Sequence, residues 1–113
     1  MKIAAADDIK NLGTILGVWA HPDDETFCSG GTMAAAAANG QKVIIITATK
    51  GEKGVQDESR WPADNLAAIR TKELKKALDI LNVTRHYQFN YNDGGCSSVD
   101  HTEPVAKIAR LIK

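Results

Sequence analysis

Val18-Trp19-Ala20-His21-Pro22-Asp23-Asp24-Glu25-Thr26-Phe27-Cys28-Ser29-Gly30-Gly31 carries the architecture of this chain. The run that enters it, Ile15-Leu16-Gly17-Val18-Trp19-Ala20, is apolar and predicts a short buried strand. It stops at a polar knot of His21, Pro22, Asp23, Asp24 and Glu25. Thr32, Met33 and five alanines follow and predict a closely packed helix. A group of metal-ligating and acid–base side chains therefore stands where a strand turns into a helix. In an open α/β sheet that is the edge where ligands bind. Pro22 pushes His21 toward an extended backbone, so the imidazole leaves the strand end facing the crevice. Asp23 and Asp24 are adjacent, and a turn lets both carboxylates approach one centre. One imidazole and one carboxylate suit a divalent transition metal, and the other carboxylate is then free to take a proton from water. Helix capping and the helix dipole explain one or two acids here. They do not explain three acids and a histidine against an apolar strand.

Outward from this knot the pattern is strand, helix, strand. The first helix is expected over Thr32 to Ala38, closed by Asn39-Gly40. Lys42-Val43-Ile44-Ile45-Ile46-Thr47-Ala48 is a β-branched run and predicts a strand buried on both faces of a parallel sheet. Strand, helix and strand within about 35 residues make a βαβ unit, so the fold class is α/β. Thr49 to Pro62 predicts a long polar loop leaving the carboxyl end of that strand. Asp64 to Asn82 has helical periodicity, with Leu66, Ile69, Leu74, Ala77, Leu78 and Leu81 on one stripe and Asp64 as candidate N-cap. Val83 to Tyr91 alternates and predicts a third strand, less buried on one face. Asn92-Asp93-Gly94-Gly95 predicts a tight turn, and Val99 to Lys113 a last helix. His86, at the start of the third strand, is expected to be structural or superficial. Residues 1–13 are expected to be a short helix or ordered lead-in.

The 113 residues amount to one domain at most. Lys plus Arg number 14 and Asp plus Glu number 14. This balance argues against a nucleic-acid or anionic-membrane partner. Lys72, Lys75 and Lys76 are expected to form a solvated helix face. No stretch approaches the roughly 20 apolar residues of a membrane span, and no signal peptide is evident. Cys28 and Cys96 lack metal-type spacing and fit free thiols in a reducing, cytoplasmic setting, with Cys28 expected in the core.

Ala20-His21-Pro22-Asp23-Asp24-Glu25 resembles the signature of the LmbE-like/PIG-L family of zinc-dependent N-acetylglucosamine deacetylases. The resemblance extends from Thr14 to Lys113. It implies a Rossmann-like three-layer sandwich with a mostly parallel sheet, of which residues 1–113 are a truncated, N-terminal part. It also implies Zn2+ as cofactor, His21 and Asp24 as metal ligands, Asp23 as general base, and an amino-sugar conjugate as substrate. Gly51-Glu52-Lys53-Gly54 is similar to the family loop that borders the active site, so it is expected to cover substrate. Ile69-Arg70-Thr71-Lys72-Glu73-Leu74 resembles the family segment whose arginine reaches the sugar, and Asp93-Gly94 its aspartate-glycine pair. Arg70 and Asp93 are therefore the substrate-binding candidates.

A catalytic zinc takes three protein ligands and one open position. The family's third ligand is a histidine in a His-x-x-His type of motif beyond the next strand, and this sequence has none. His101 is a substitute only if its loop folds back. Two other readings stay open. One is a magnesium-dependent phosphoryl site using the three acids, which His21 disfavours. The other is a non-catalytic sugar- or partner-binding remnant, whose uncovered sheet edge invites homo-oligomers.

Overall fold

The computed structural model describes residues 2–54 and 59–112. The lead-in forms a 3-10 helix over Ala6–Leu12, ended by Gly13 at φ 65°. Three strands follow in order, β1 (Ile15–Trp19), β2 (Val43–Thr49) and β3 (Arg85–Tyr91). They alternate with α1 (Asp24–Ala38) and α2 (Ala63–Ile80), and α3 (Thr102–Ile112) comes last. The sheet has the order β1-β2-β3 and both pairings are parallel. The α/β class and the parallel sheet are as the sequence predicts.

β2 is the centre of the sheet, and five of its seven residues in succession, Val43 to Thr47, are buried. Its alternate side chains serve two layers. Val43 and Ile45 join Met33 and Ala36 of α1, Leu74 and Leu78 of α2, Ile9 and Val83 in one core. Ile46 and Ala48 face the other way, with Phe89, toward Pro104 and Ile108 of α3. That gives three layers. The outer one is thin: α3 buries no residue, and its Val105 and Ile112 are exposed. Lys107 closes part of the gap, its Nζ 4.9 Å from the Phe89 ring centroid.

Four local details differ from the sequence reading. α1 begins at Asp24 rather than Thr32, and its backbone leaves helical angles at Ser29 (φ −140°). The low-propensity Ser29-Gly30-Gly31 segment is thus a kink inside the helix and not its start. Ser29 Oγ donates to Glu25 O at 2.8 Å across that kink. Asp64 does not cap α2; Pro62 occupies the N-cap position and Asp64 lies in the first turn. Cys28 is exposed, not in the core, and lies in α1 just before the kink at Ser29. Finally, β3 carries a bulge: Thr47 pairs with Gln88, but Thr49 pairs with Tyr91. Gln88 Nε2 answers the interrupted ladder by donating to Thr47 O and Thr49 O, each at 3.0 Å. No helix among the described residues is long and apolar enough to cross a membrane.

Candidate metal and catalytic site

The parallel sheet brings the ends of β1, β2 and β3 to one edge. Ala20 O accepts both the backbone N–H of Thr49 (3.0 Å) and its Oγ1–H (2.9 Å), which staples β1 to β2 just before His21. From there the chain turns back on itself: Asp24 Oδ2 accepts the backbone N–H of His21 at 3.0 Å. The same oxygen lies 3.4 Å from the ring Nδ1 of His21. The other ring nitrogen, Nε2, is 2.9 Å from Asp93 Oδ1. Asp93 is itself fixed, since Oδ2 accepts Lys53 N–H (3.0 Å) and its own N–H donates to Glu52 Oε1 (2.7 Å).

This arrangement fits a divalent metal on its own chemistry. A neutral imidazole that donates from Nε2 to Asp93 presents a lone pair at Nδ1. In that tautomer Nδ1 is 3.4 Å from a carboxylate oxygen, and a cation between the two electron-rich atoms would satisfy both. Zinc bonds of about 2.0–2.1 Å at the tetrahedral angle put neighbouring donors about 3.4 Å apart. An imidazole held from behind by a carboxylate is also the usual support of a metal-bound histidine. Two donors are present. Among the described residues no group of three His, Cys, Asp or Glu side chains is placed to hold a metal.

Asp23 stands beside this pair and is strained. Its φ is 90°, a left-handed conformation rare outside glycine, and its side chain is 76% exposed. Arg70 holds it: Nη2 donates to Pro22 O at 2.6 Å and to Asp23 Oδ2 at 3.2 Å, while Nη1 donates to Gly51 O at 2.9 Å. The guanidinium sits where side chains at 51 and 54 would be. A Cβ on Gly51, whose φ is 66°, would collide with Nη1, and one on Gly54 would come within 2.6 Å of it. Those two glycines are what let the loop wrap Arg70.

Of the residues singled out in the sequence, His21, Asp24 and Asp93 form one side-chain group and Asp23 and Arg70 a second, joined to the first through the backbone of residues 21–24. His101 joins neither and lines the cavity beneath α3. His86 is structural, its Nε2 3.0 Å from Thr47 Oγ1. Burial, and secondarily the Lys75 ammonium, hold its pKa below 6.5. The loop expected over Thr49 to Pro62 includes residues 55–58, outside the described ones. Sequence reasoning missed Glu52 as the partner of Asp93 and Thr49 as the staple. The signal for Glu52 was its place between two glycines after a strand. Glu25, which the sequence places in the polar knot, is fully buried, accepts Thr26 Oγ1–H at 3.1 Å through Oε1, and has no partner at Oε2 among the described residues.

Three comparisons bear on this geometry. A family profile described as "PIG-L: GlcNAc-PI de-N-acetylase" matches residues 16–113. A 1D-myo-inositol 2-acetamido-2-deoxy-alpha-D-glucopyranoside deacetylase of Segniliparus rotundus is 38% identical over 108 residues, 82% of this chain and 34% of that protein. The enzyme of the same description from Thermomonospora curvata is 46% identical over 78 residues, 64% of this chain and 26% of that one. Among solved structures, N,N'-diacetylchitobiose deacetylase from Pyrococcus horikoshii superposes with a TM-score of 0.72 at 33% identity, covering 88% of this chain and 36% of that chain. A zinc-inhibited form of teicoplanin deacetylase Orf2 superposes with a TM-score of 0.59 at 26% identity, over 71% and 34% of the two chains. The chain thus spans about a quarter to a third of the length of these relatives, each of which is named as a deacetylase. With the profile matching nearly the whole of it, the chain belongs to the PIG-L (LmbE-like) family.

Proposed function

We propose that the protein carrying this chain is a zinc-dependent hydrolase that removes the acetyl group of an N-acetylglucosamine-type sugar conjugate. The observation that carries this reading is the His21 ring, clamped from behind by Asp93 with Nδ1 turned to Asp24 Oδ2. In this reading residues 1–113 are the N-terminal part of a single deacetylase domain. His21 and Asp24 supply two metal donors, and the third comes from outside these residues.

Zinc, when bound, polarises the acetyl carbonyl and makes water a better nucleophile. The remaining work belongs to the chain. Asp23 Oδ1 has no partner among the described residues, and it takes the proton of the attacking water. The same carboxyl returns a proton to the departing amine, so one group serves both halves of the reaction. Arg70 keeps Asp23 Oδ2 in place and leaves Oδ1 free. Arg70 also lines a cavity of about 140 Å3 with Asp23, Glu25 and Glu73. Its Nε has no partner among the described residues and is available to a sugar hydroxyl. Asp93, with both oxygens in use and 6% of its surface exposed, meets the sugar only at its edge and serves mainly to orient His21.

The test uses the full-length protein with N,N'-diacetylchitobiose and an N-acetylglucosaminyl-inositol conjugate, reading acetate release and metal content. Wild type is expected to release acetate with about one zinc per chain. Asp23→Asn is expected to lose about 10²–10⁴-fold in kcat while keeping its zinc. Normal turnover by that variant would remove Asp23 as the base. Zinc-free wild type with full activity would remove the mechanism.

A further inference from the structure

A cleft of about 700 Å3 opens between α2 and the segments that follow β2 and β3, and His21 is not among the residues that line it. It lies at the same carboxyl edge of the sheet, where ligands of parallel α/β sheets bind. The size suits a sugar-conjugate ligand. α2 opens the cleft by presenting Ala67, Ala68 and Thr71, one helical face of small side chains. Lys72 and Lys75 rise beside that floor, and Lys50 faces them from the end of β2. Asn90 and Asn92 close the β3 side.

The donors here are spare. Lys50, Lys72, Lys75, Asn90 and Asn92 have no side-chain hydrogen bond or ion pair with any described residue, whereas Thr71 Oγ1 is used on Ala67 O. Two carboxylates share the cleft, Glu52 and Asp64. Glu52 Oε1 is committed to the Asp93 N–H. Three ammonium groups therefore face two carboxylates, one of them engaged elsewhere. Lys72, Lys75 and Lys76 are all exposed, as the sequence reading of a solvated face expects; Lys72 and Lys75 also line the cleft, and Lys76 does not. Glu52 and the Asn92–Asp93 step form the wall between this cleft and His21, so one elongated ligand can reach both sides of that wall.

We propose that this cleft is a second subsite, which takes an oxyanion group, a phosphate ester or a carboxylate, on the part of the sugar conjugate remote from the acetamide. The proposal rests on the deacetylase reading for its substrate and on the lysines and asparagines for its charge preference. Exposed lysines act here mainly as point charges, so the attraction is moderate and screened by salt.

Two measurements test it in the full-length protein. In the first, KM is compared for N-acetylglucosaminides differing only in a neutral or a phosphorylated aglycone. The KM preference for the charged conjugate is expected to fall about tenfold in Lys72→Ala/Lys75→Ala and at 0.5 M salt, an amount typical of two screened charges. Lys76→Ala is expected to leave the preference unchanged. In the second, backbone amide shifts of Thr71, Asn90 and Asn92 are followed during titration with glycerol phosphate and, separately, succinate. Saturable shifts that the double variant abolishes support the subsite, and the stronger probe names its oxyanion. No saturable shift with either probe, or equal preference in wild type and double variant, overturns it. If wild type deacetylates neither conjugate, the proposed reaction fails while the titration still decides the cleft.

Discussion

Replacing Asp93 by asparagine changes almost no volume and probes whether that carboxylate sets the His21 ring. Both oxygens of Asp93 accept from N–H donors, Oδ1 from His21 Nε2 at 2.9 Å and Oδ2 from Lys53 N at 3.0 Å. An asparagine has one acceptor and one NH2 group. Whichever way it is turned, its NH2 meets a donor. Either Lys53 N–H loses its partner, or His21 shifts its proton to Nδ1, the nitrogen that faces Asp24. The site is 6% exposed, so solvent does not repair the loss. A buried donor left unpaired costs about 1–3 kcal/mol, and loss of a carboxylate behind a ligand histidine lowers metal affinity about 10–100-fold. Because the second alternative puts the proton on the metal-facing nitrogen, the expected loss lies toward the upper end, about 30–100-fold. Competition for zinc against a chromophoric chelator measures it. Urea unfolding alongside separates a general loss of fold, which lowers the unfolding midpoint, from a loss of ring orientation, which lowers affinity in the folded protein. Asp93→Asn with wild-type zinc affinity would show that the ring is oriented by something else, and the fit of the site to a metal would lose its main support.

The other predictions concern the neighbours of that pair. Glu52→Ala is expected to weaken zinc binding several-fold, and Glu52→Gln to restore most of it, because Gln keeps an acceptor for the Asp93 N–H; equal losses in both would mean that the charge, not the hydrogen bond, matters. Arg70→Lys is expected to lower kcat at least tenfold with zinc affinity changed less than about threefold, since one ammonium does not bridge Pro22 O, Asp23 Oδ2 and Gly51 O together; zinc loss as large as in Asp93→Asn would contradict the division of labour. His86 has a lowered pKa in the fold, from burial and then Lys75, so the unfolded chain binds the extra proton. Its contribution is present above pH 6.5 and is lost as pH falls through the lower, folded value. Urea midpoints are therefore expected to drop between pH 7 and 5, and less steeply in His86→Gln; identical slopes would refute this.

Much of the scaffold was legible because it depends on local signals. The β-branched run of β2 can be satisfied only by cover on both faces, and the apolar stripe of α2 finds that cover at Leu74 and Leu78. Gly13 and Gly40 take positive φ where the sequence predicted helix ends. What was not legible is settled by tertiary partners. The kink at Ser29 reads as a helix start to any propensity argument, yet packing carries the helix through it. The bulge in β3 has no mark in an alternating run, and it alters where Tyr91 and the residues after it stand. Above all, Asp93 looks like an ordinary turn former, while its partner His21 is 72 positions away. Sequence spacing names the types of residue at the site; only the parallel register says which of them touch.

That register also explains why one loop matters to two different tasks. The segment after β2 grips Asp93 through Lys53 N and Glu52, and grips Arg70 through Gly51 O. Asp93 then fixes the donor ring, and Arg70 fixes the acid in its left-handed backbone. A left-handed aspartate costs about 1–3 kcal/mol and persists only where its surroundings over-determine it. Three hydrogen bonds from one guanidinium meet that requirement, and they exist only because Gly51 and Gly54 leave room for it. The two glycines, which the sequence shows only as part of a long polar loop, therefore have a structural task. They give the loop the shape that makes Arg70 rigid, and through Arg70 they hold Asp23 in a conformation the local chain would otherwise leave.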